Sequence, residues 1–115
     1  MGQLTTHVLD TAAGCPAAGI HVELFRHTKS GPDKLAEART NADGRLGWPI
    51  LEGAEYKSGT YELVFHVGAY FKKTQTGGEL FLDTVPVRFV LDENEDHYHV
   101  PLLISPFSYT TYRGS

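Results

Sequence analysis

Histidine is the residue type with the most chemical potential in this sequence, since six histidines occur among 115 residues. His97 and His99 lie two positions apart in HYHVPLL, so on a β-strand both rings would point to the same side. His7, in TTHVLD, has polar or small neighbours on its own side of a predicted strand. Imidazole titrates near neutral pH, so histidines in this arrangement can act as general base and general acid.

Two other interpretations of the histidines remain open at this point. A pair on one strand face can bind a metal ion, but no third ligand stands at a recognisable spacing, so no metal ligand is predicted. Alternatively, the histidines are solvent-facing polar residues of a half-exposed sheet. We expect the second arrangement for His21, His27 and His66, because the opposite faces of their strands are apolar.

Arg45 and Tyr112 are the other candidate functional residues. Arg45 follows the Asp-Gly turn of NADGR and either is solvated or presents a permanently charged fork to a carbonyl-rich or anionic ligand. Tyr112 lies in the C-terminal TTYRGS, as either a frayed strand end or a ligand contact. Strand alternation puts Tyr112 and Arg113 on opposite sides, so these two residues are not expected to share a role.

The bulk composition argues against several classes of protein. The net charge is −4 and lysines and arginines are scattered singly, so neither nucleic acid nor a membrane surface is an expected partner. No apolar stretch has the length of a signal peptide or a membrane span, so a cytoplasmic protein is expected. Cys15 is the only cysteine and cannot form an internal disulfide. The length predicts a single domain over residues 1–115.

Turn signals recur about every ten residues, which predicts an all-β sandwich or barrel. Alternating patterns predict strands at 4–11, 20–28, 35–41, 60–67, 85–91, 97–105 and 108–115, and a short helix at 68–76. Residues 46–59 have a loop-like composition, with room for one very short strand. These elements place the candidate histidines on strands and Arg45 just after a turn.

Five segments resemble the 5-hydroxyisourate hydrolases, the transthyretin-like enzymes of purine catabolism. They are HVLDTAAGCPAAGI, TNADGR, TYELVFHVGAYF, FLDTVPVRFV and HYHVPLLISPFSYTTYRGS. The resemblance covers about residues 4–115. Its specific mark is the C-terminal Tyr-Arg-Gly-Ser, which separates the hydrolases from transthyretin, the hormone carrier with the same fold. The resemblance implies a transthyretin-like β-sandwich of two four-stranded sheets with one short helix.

The resemblance also implies an activity, a partner and a site. The activity is hydrolysis of 5-hydroxyisourate to 2-oxo-4-hydroxy-4-carboxy-5-ureidoimidazoline, between urate and allantoin, without a cofactor. The partners are the small-molecule substrate and further copies of the chain, in a homotetramer whose sites lie in a channel between subunits. Matching the motifs position by position implies His7, Arg45 and His99 as catalytic residues. It implies His7, Arg45, Tyr112 and Ser115 as substrate contacts.

Some features stay open under this resemblance. It does not decide which histidine is the base and which is the acid, and His97 lies outside the implied catalytic set. Trp48 and Phe107 depart from the family pattern, at positions away from that set. The alternative function is a small aromatic ligand-binding module of the transthyretin type, without catalysis. That alternative predicts loss of the polar residues that this sequence keeps.

Overall fold

Two layers of β-sheet enclose one apolar core in the computed structural model, which describes residues 2–75 and 77–114. The strands are β1 (Gln3–Thr5), β2 (Val8–Asp10), β3 (Cys15–Pro16), β4 (His21–Thr28), β5 (Gly31–Arg39), β6 (Leu51–Glu52), β7 (Gly59–His66), β8 (Thr84–Leu91), β9 (His97–His99), β10 (Leu102–Ser105) and β11 (Ser108–Thr111). The α-helix α1 spans Val67–Thr74, and a 3-10 turn spans Gly53–Glu55. The predicted all-β class and the short helix are confirmed.

The first layer is an antiparallel sheet with the order β5-β4-β7-β8. Its strands alternate as the sequence pattern predicts; on β7 the side chains of Tyr61, Leu63 and Phe65 are fully buried. Burying an apolar side chain of this size stabilises the fold by about 1.5–3 kcal/mol. The longest strand, β5, begins four residues earlier than its pattern predicts, because residues 31–34 pair with the end of β4.

Three histidines lie on the outward face of this sheet, and the expectation that they are simply exposed was wrong. His21, His27 and His66 are half-buried, and each has its Nε2 on a glutamate carboxylate. The sequence shows the alternation that turns these rings outward. It does not show the partners, because the glutamates come from neighbouring strands.

The second layer contains two interruptions that the sequence pattern did not predict. The predicted strand 4–11 is divided into β1 and β2, and the predicted strand 97–105 into β9 and β10. Pro101, which has no N–H to donate, lies at the second interruption. The parallel register nevertheless continues across both, with Thr5 opposite His99 and Val8 opposite Leu102.

The two short sheets of this layer, β6-β1-β9 and β11-β10-β2-β3, therefore continue one another and are four strands wide in total. This confirms the sandwich of two four-stranded sheets. The last strand ends at Thr111, earlier than the predicted 108–115, although Gly114 still forms a bridge to His99. Among the described residues, no helix has the length and apolar character needed to cross a membrane.

Candidate active site

His7 and His99 meet where both central strands of the second layer are interrupted. His7 follows β1, His99 ends β9, and the parallel pairing of these strands brings together two residues that are 92 positions apart. The Nδ1 of His7 lies 2.6 Å from the Nε2 of His99, and the rings stack with their centroids 4.8 Å apart. At this distance the two nitrogens share a single hydrogen, so one ring donates and the other accepts.

The hydroxyl of Thr5 extends this contact into a chain of hydrogen bonds. Its Oγ1 lies 2.7 Å from the Nδ1 of His99 and 2.9 Å from the Nε2 of His97. Thr5 was not predicted as a site residue from the sequence, and His97 was predicted to lie outside the catalytic set. A signal for Thr5 is present, since the strand alternation puts Thr5 and His7 on the same side of their strand.

Arg45 enters the site from a tight turn that only glycine allows. Gly44 has a φ of +74°, and a Cβ on it would lie 2.4 Å from the carbonyl oxygen of Val8. The Asn41 side-chain oxygen accepts hydrogen bonds from the N–H groups of Asp43 and Arg45, at 2.9 and 3.1 Å. The backbones of His7 and Arg45 form a β-bridge, which places the two residues side by side, and the Arg45 charge acts on both histidines of the pair. Arg45 is exposed and lines the cleft, so its permanent charge is available there.

The C-terminal segment closes the site against His99. The Gly114 N–H donates to the His99 carbonyl at 2.6 Å, and a Cβ on Gly114 would lie 3.0 Å from the His99 ring. Tyr112 lines the cleft, whereas the Arg113 guanidinium lies 4.2 Å from the centroid of the Tyr98 ring. Both residues follow the end of the last strand at Thr111, so strand alternation does not govern their directions. The expected substrate contact Ser115 lies outside the described residues.

These residues surround an open cleft with a volume of about 800 Å³, which is large enough for a small planar ring. The cleft brings together four of the five residues that the sequence analysis implied, and the described structure adds Thr5 and His97. Trp48, which departs from the family pattern, is 65% exposed and forms an apolar wall of the same cleft. The lining includes Thr5, His7, Arg45, Trp48, His97, His99, Tyr112 and Gly114.

Both members of the histidine pair are held in the neutral form. Burial is the main cause that lowers the pKa of His99 to about 4, and the nearby His7, Arg45 and His97 contribute to the same shift. Burial also lowers the pKa of His7, and the charge of Arg45 adds to this effect. At neutral pH the pair therefore has both a lone pair and an N–H available for chemistry.

These pKa values predict a stability change in acid. The unfolded chain binds a proton at His99 near the ordinary pKa of 6.5, whereas the folded chain does so only near 4. The unfolded state therefore binds more protons between these values, and the free energy of unfolding falls as pH drops from 6.5 towards 4. Urea denaturation from pH 7 to 4.5 measures this slope, and we expect a shallower slope for His99→Asn. An identical slope in the variant would contradict the neutral state of His99.

Known proteins with similar sequences and structures include hydrolases. The model of the HIUase/Transthyretin family matches residues 4–114. The chain is 53% identical to the 5-hydroxyisourate hydrolase of Mesorhizobium japonicum, over 99% of this chain and 93% of that protein. It superposes on the solved 5-hydroxyisourate hydrolase of Klebsiella pneumoniae with a TM-score of 0.83 and 38% identity, over the full length of both.

A solved (S)-allantoin synthase gives a TM-score of 0.91 with 50% identity. The match covers 99% of this chain but spans only 44% of the length of that synthase. Family model, sequence identity and superposition therefore agree over nearly the whole chain. The chain belongs to the HIUase/Transthyretin family.

Proposed function

We propose that this protein is a hydrolase that converts 5-hydroxyisourate to 2-oxo-4-hydroxy-4-carboxy-5-ureidoimidazoline. The observation that carries the proposal is the hydrogen-bonded His7–His99 pair beside the positively charged Arg45, in a cleft that fits a small ring. The relatives named above that have this activity match the chain over nearly all of its length. We also propose that residues 1–115 act as one domain and need no cofactor for the reaction.

The reaction needs a base, an acid and a positive charge. Water adds its oxygen to a ring carbonyl and gives up a proton, and the adjacent C–N bond then breaks as the leaving nitrogen takes up a proton. Two imidazoles that share one hydrogen can accept the first proton and supply the second. The guanidinium of Arg45 stabilises the negative charge that develops on the carbonyl oxygen, and it stays charged at any working pH.

The hydrogen-bond chain allows two arrangements of its protons. In one, the His7 Nδ1 donates to His99, His99 donates to Thr5, and Thr5 donates to His97, which leaves the His7 Nε2 free to accept a proton. In the other, every donor and acceptor is reversed, and the His7 Nε2 carries a proton that it can give away. Converting one arrangement into the other moves a proton along the chain, and Thr5 is the link that conducts it.

Replacing Thr5 by valine is expected to lower kcat about tenfold, because the loss of the hydroxyl breaks the chain and leaves the His99 Nδ1 without its partner. Thr5→Ser restores the oxygen and is expected to retain most of the activity. The two variants are compared by their kcat and KM values for 5-hydroxyisourate. A Thr5→Val enzyme with the kcat of Thr5→Ser would show that the hydroxyl has no positioning role.

The remaining cleft residues position the ring. Tyr112 offers an aromatic face and a hydroxyl from one wall of the cleft, and Trp48 offers an apolar wall. We include Ser115 as a substrate contact on the basis of the family resemblance alone. The transthyretin-type binding module is the weaker alternative, since an apolar ligand gains nothing from a charged guanidinium beside two coupled histidines.

The direct test follows the ultraviolet absorbance of 5-hydroxyisourate generated in place from urate by urate oxidase, with and without this protein. Decay faster than the uncatalysed rate, in proportion to the protein concentration, is the expected result. Decay at the uncatalysed rate from correctly folded protein would reject the proposed function and favour the binding module.

We further infer that the chain forms a homotetramer. The edge strands β8 and β11 each pair on one side only within the described chain, and exposed apolar side chains lie on them or next to them. These are Val90 on β8, and Phe107, Tyr109 and Tyr112 around β11. Free edges with apolar side chains favour pairing with another copy. Sedimentation equilibrium is expected to give four times the mass of one chain, and a monomer would contradict it.

The cytoplasmic location stays a prediction.

A further inference from the structure

The outward face of the sheet β5-β4-β7-β8 carries a second cluster of histidines, none of which lines the cleft. His21 and Glu23 lie two apart on β4, and His66 on β7 lies directly opposite His21. One ligand atom of each, an imidazole nitrogen or a carboxylate oxygen, lies within 4.8 Å of the other two. All three side chains are half-buried, so the sheet already holds these atoms close together.

Glu37 and Lys34, both on β5, complete the cluster. The Nε2 of His21 lies 2.6 Å from a carboxylate oxygen of Glu37, and the Nε2 of His66 lies 2.5 Å from one of Glu23. The Lys34 ammonium lies 3.0 Å from Glu23 and 2.9 Å from Glu37. The two carboxylates thus meet at a positive charge, each also contacts an imidazole, and the two imidazole rings stack with their centroids 4.8 Å apart.

A register shift between Leu24 and Phe25 places the lysine in this position. Lys34 and Glu37 are three residues apart, so in a regular strand they would face opposite sides of the sheet. The shift inserts one extra residue into β5, and the ammonium therefore reaches the same face as the carboxylate. Lys34 is 40% exposed and has a long, flexible side chain, so it can leave the carboxylates without disturbing the core.

We propose that this cluster is a binding site for a divalent transition-metal ion of the Zn²⁺ class. His21, Glu23 and His66 are the ligands, and Glu37 takes the fourth position when the ion displaces Lys34. Imidazole nitrogen and carboxylate oxygen are ordinary zinc ligands, and tetrahedral zinc separates its ligand atoms by about 3.3 Å. The ligand atoms of His21, Glu23 and His66 lie within 4.8 Å of one another, so binding has to draw the farthest of them closer by about 1.5 Å.

The charges of the cluster suit such an ion. The hydrogen bond from His66, together with the bond from Lys34, holds the pKa of Glu23 below its usual range. Lys34, followed by His21, does the same for Glu37. Both carboxylates already lie within 3.0 Å of the Lys34 ammonium, so an ion that displaces Lys34 takes the place of a positive charge that the cluster already holds.

The ion would act as a structural brace. Its ligands come from three adjacent strands, β5, β4 and β7, and a ligand that binds only the folded state raises the unfolding temperature. It is not a cofactor of the proposed hydrolysis, because the cleft is built by the other sheet and its loops. Metal binding at this cluster is therefore independent of the proposed function.

The test titrates Zn²⁺ into the full-length, metal-free protein by calorimetry and follows the histidine ring signals by NMR. His21→Asn and Glu23→Gln remove ligands, and Lys34→Met removes the competing charge. His27→Asn is the matched control, because His27 lies on the same strand face but outside the cluster, with its Nε2 3.2 Å from Glu62. The NMR signals separate this site from the histidines of the cleft, and circular dichroism confirms that each variant is folded.

We expect saturable binding that shifts the His21 and His66 signals but not that of His27. His21→Asn and Glu23→Gln should abolish this binding, and Lys34→Met should tighten it about tenfold, because it removes a like charge next to the ion. Binding that leaves the His21 and His66 signals unmoved, or that Lys34→Met weakens, would overturn the proposal. The cluster would then be only a network of ion pairs.

Discussion

Replacing His99 by asparagine is expected to lower kcat/KM for 5-hydroxyisourate by roughly 10²–10⁴-fold, the usual contribution of a positioned acid–base group. His99 is an inner member of the hydrogen-bond chain, with His7 at 2.6 Å on one side and Thr5 at 2.7 Å on the other. Asparagine keeps a polar side chain of similar reach, but it cannot exchange a proton near neutral pH. Steady-state kinetics with substrate generated in place measure the loss.

His27→Asn is the matched control, since it removes a half-buried strand histidine on the other sheet and should retain full activity. His7→Asn should be about as damaging as His99→Asn. The double variant should be little worse than either single one, because the two rings act as one unit. An activity within tenfold of the unmodified protein for His99→Asn would reject its catalytic role.

Replacing Arg45 by methionine is expected to cost about 10²–10³-fold in kcat, because it removes the positive charge at the developing oxyanion. Arg45→Lys keeps a charge but loses the planar fork, so its activity should lie between those of Arg45→Met and the unmodified protein. Arg39→Met is the control, since Arg39 is exposed on β5 and lies away from the cleft. Equal rates for Arg45→Met and Arg39→Met would remove Arg45 from the mechanism.

Arg45→Met has a second effect that a purely structural role would not produce. The guanidinium helps to lower the pKa of both His7 and His99. Without its charge both values rise, so the acid limb of the kcat/KM profile should move to higher pH. Burial remains the larger cause of both shifts, so the pKa of His99 should still lie below 6.5. A profile that stays in place would mean that the charge does not act on the pair.

The elements of the fold were largely readable from local patterns. Alternation along TYELVFHV, with Tyr61, Leu63 and Phe65 on one side, is sufficient to predict β7 and its buried face, because side chains in any strand point alternately to its two sides. The Asp-Gly turn before Arg45 could also be predicted from its residue types, since Gly44 adopts a positive φ that other residues disfavour. The interruptions between β1 and β2 and between β9 and β10 could not be predicted, because the alternation of side chains continues through both of them.

The sequence by itself determined the all-β class and the short helix, and a family resemblance, rather than spacing, supplied the sandwich and four of the cleft residues, His7, Arg45, His99 and Tyr112. Tertiary structure alone decided how those residues combine. The parallel pairing of β1 with β9 joins His7 to His99 and sets Thr5 between two histidines, and three paired strands assemble the outer histidine cluster. Periodicity reports which side of its own strand a residue faces. Only the register between strands distant in sequence decides which residue it meets there.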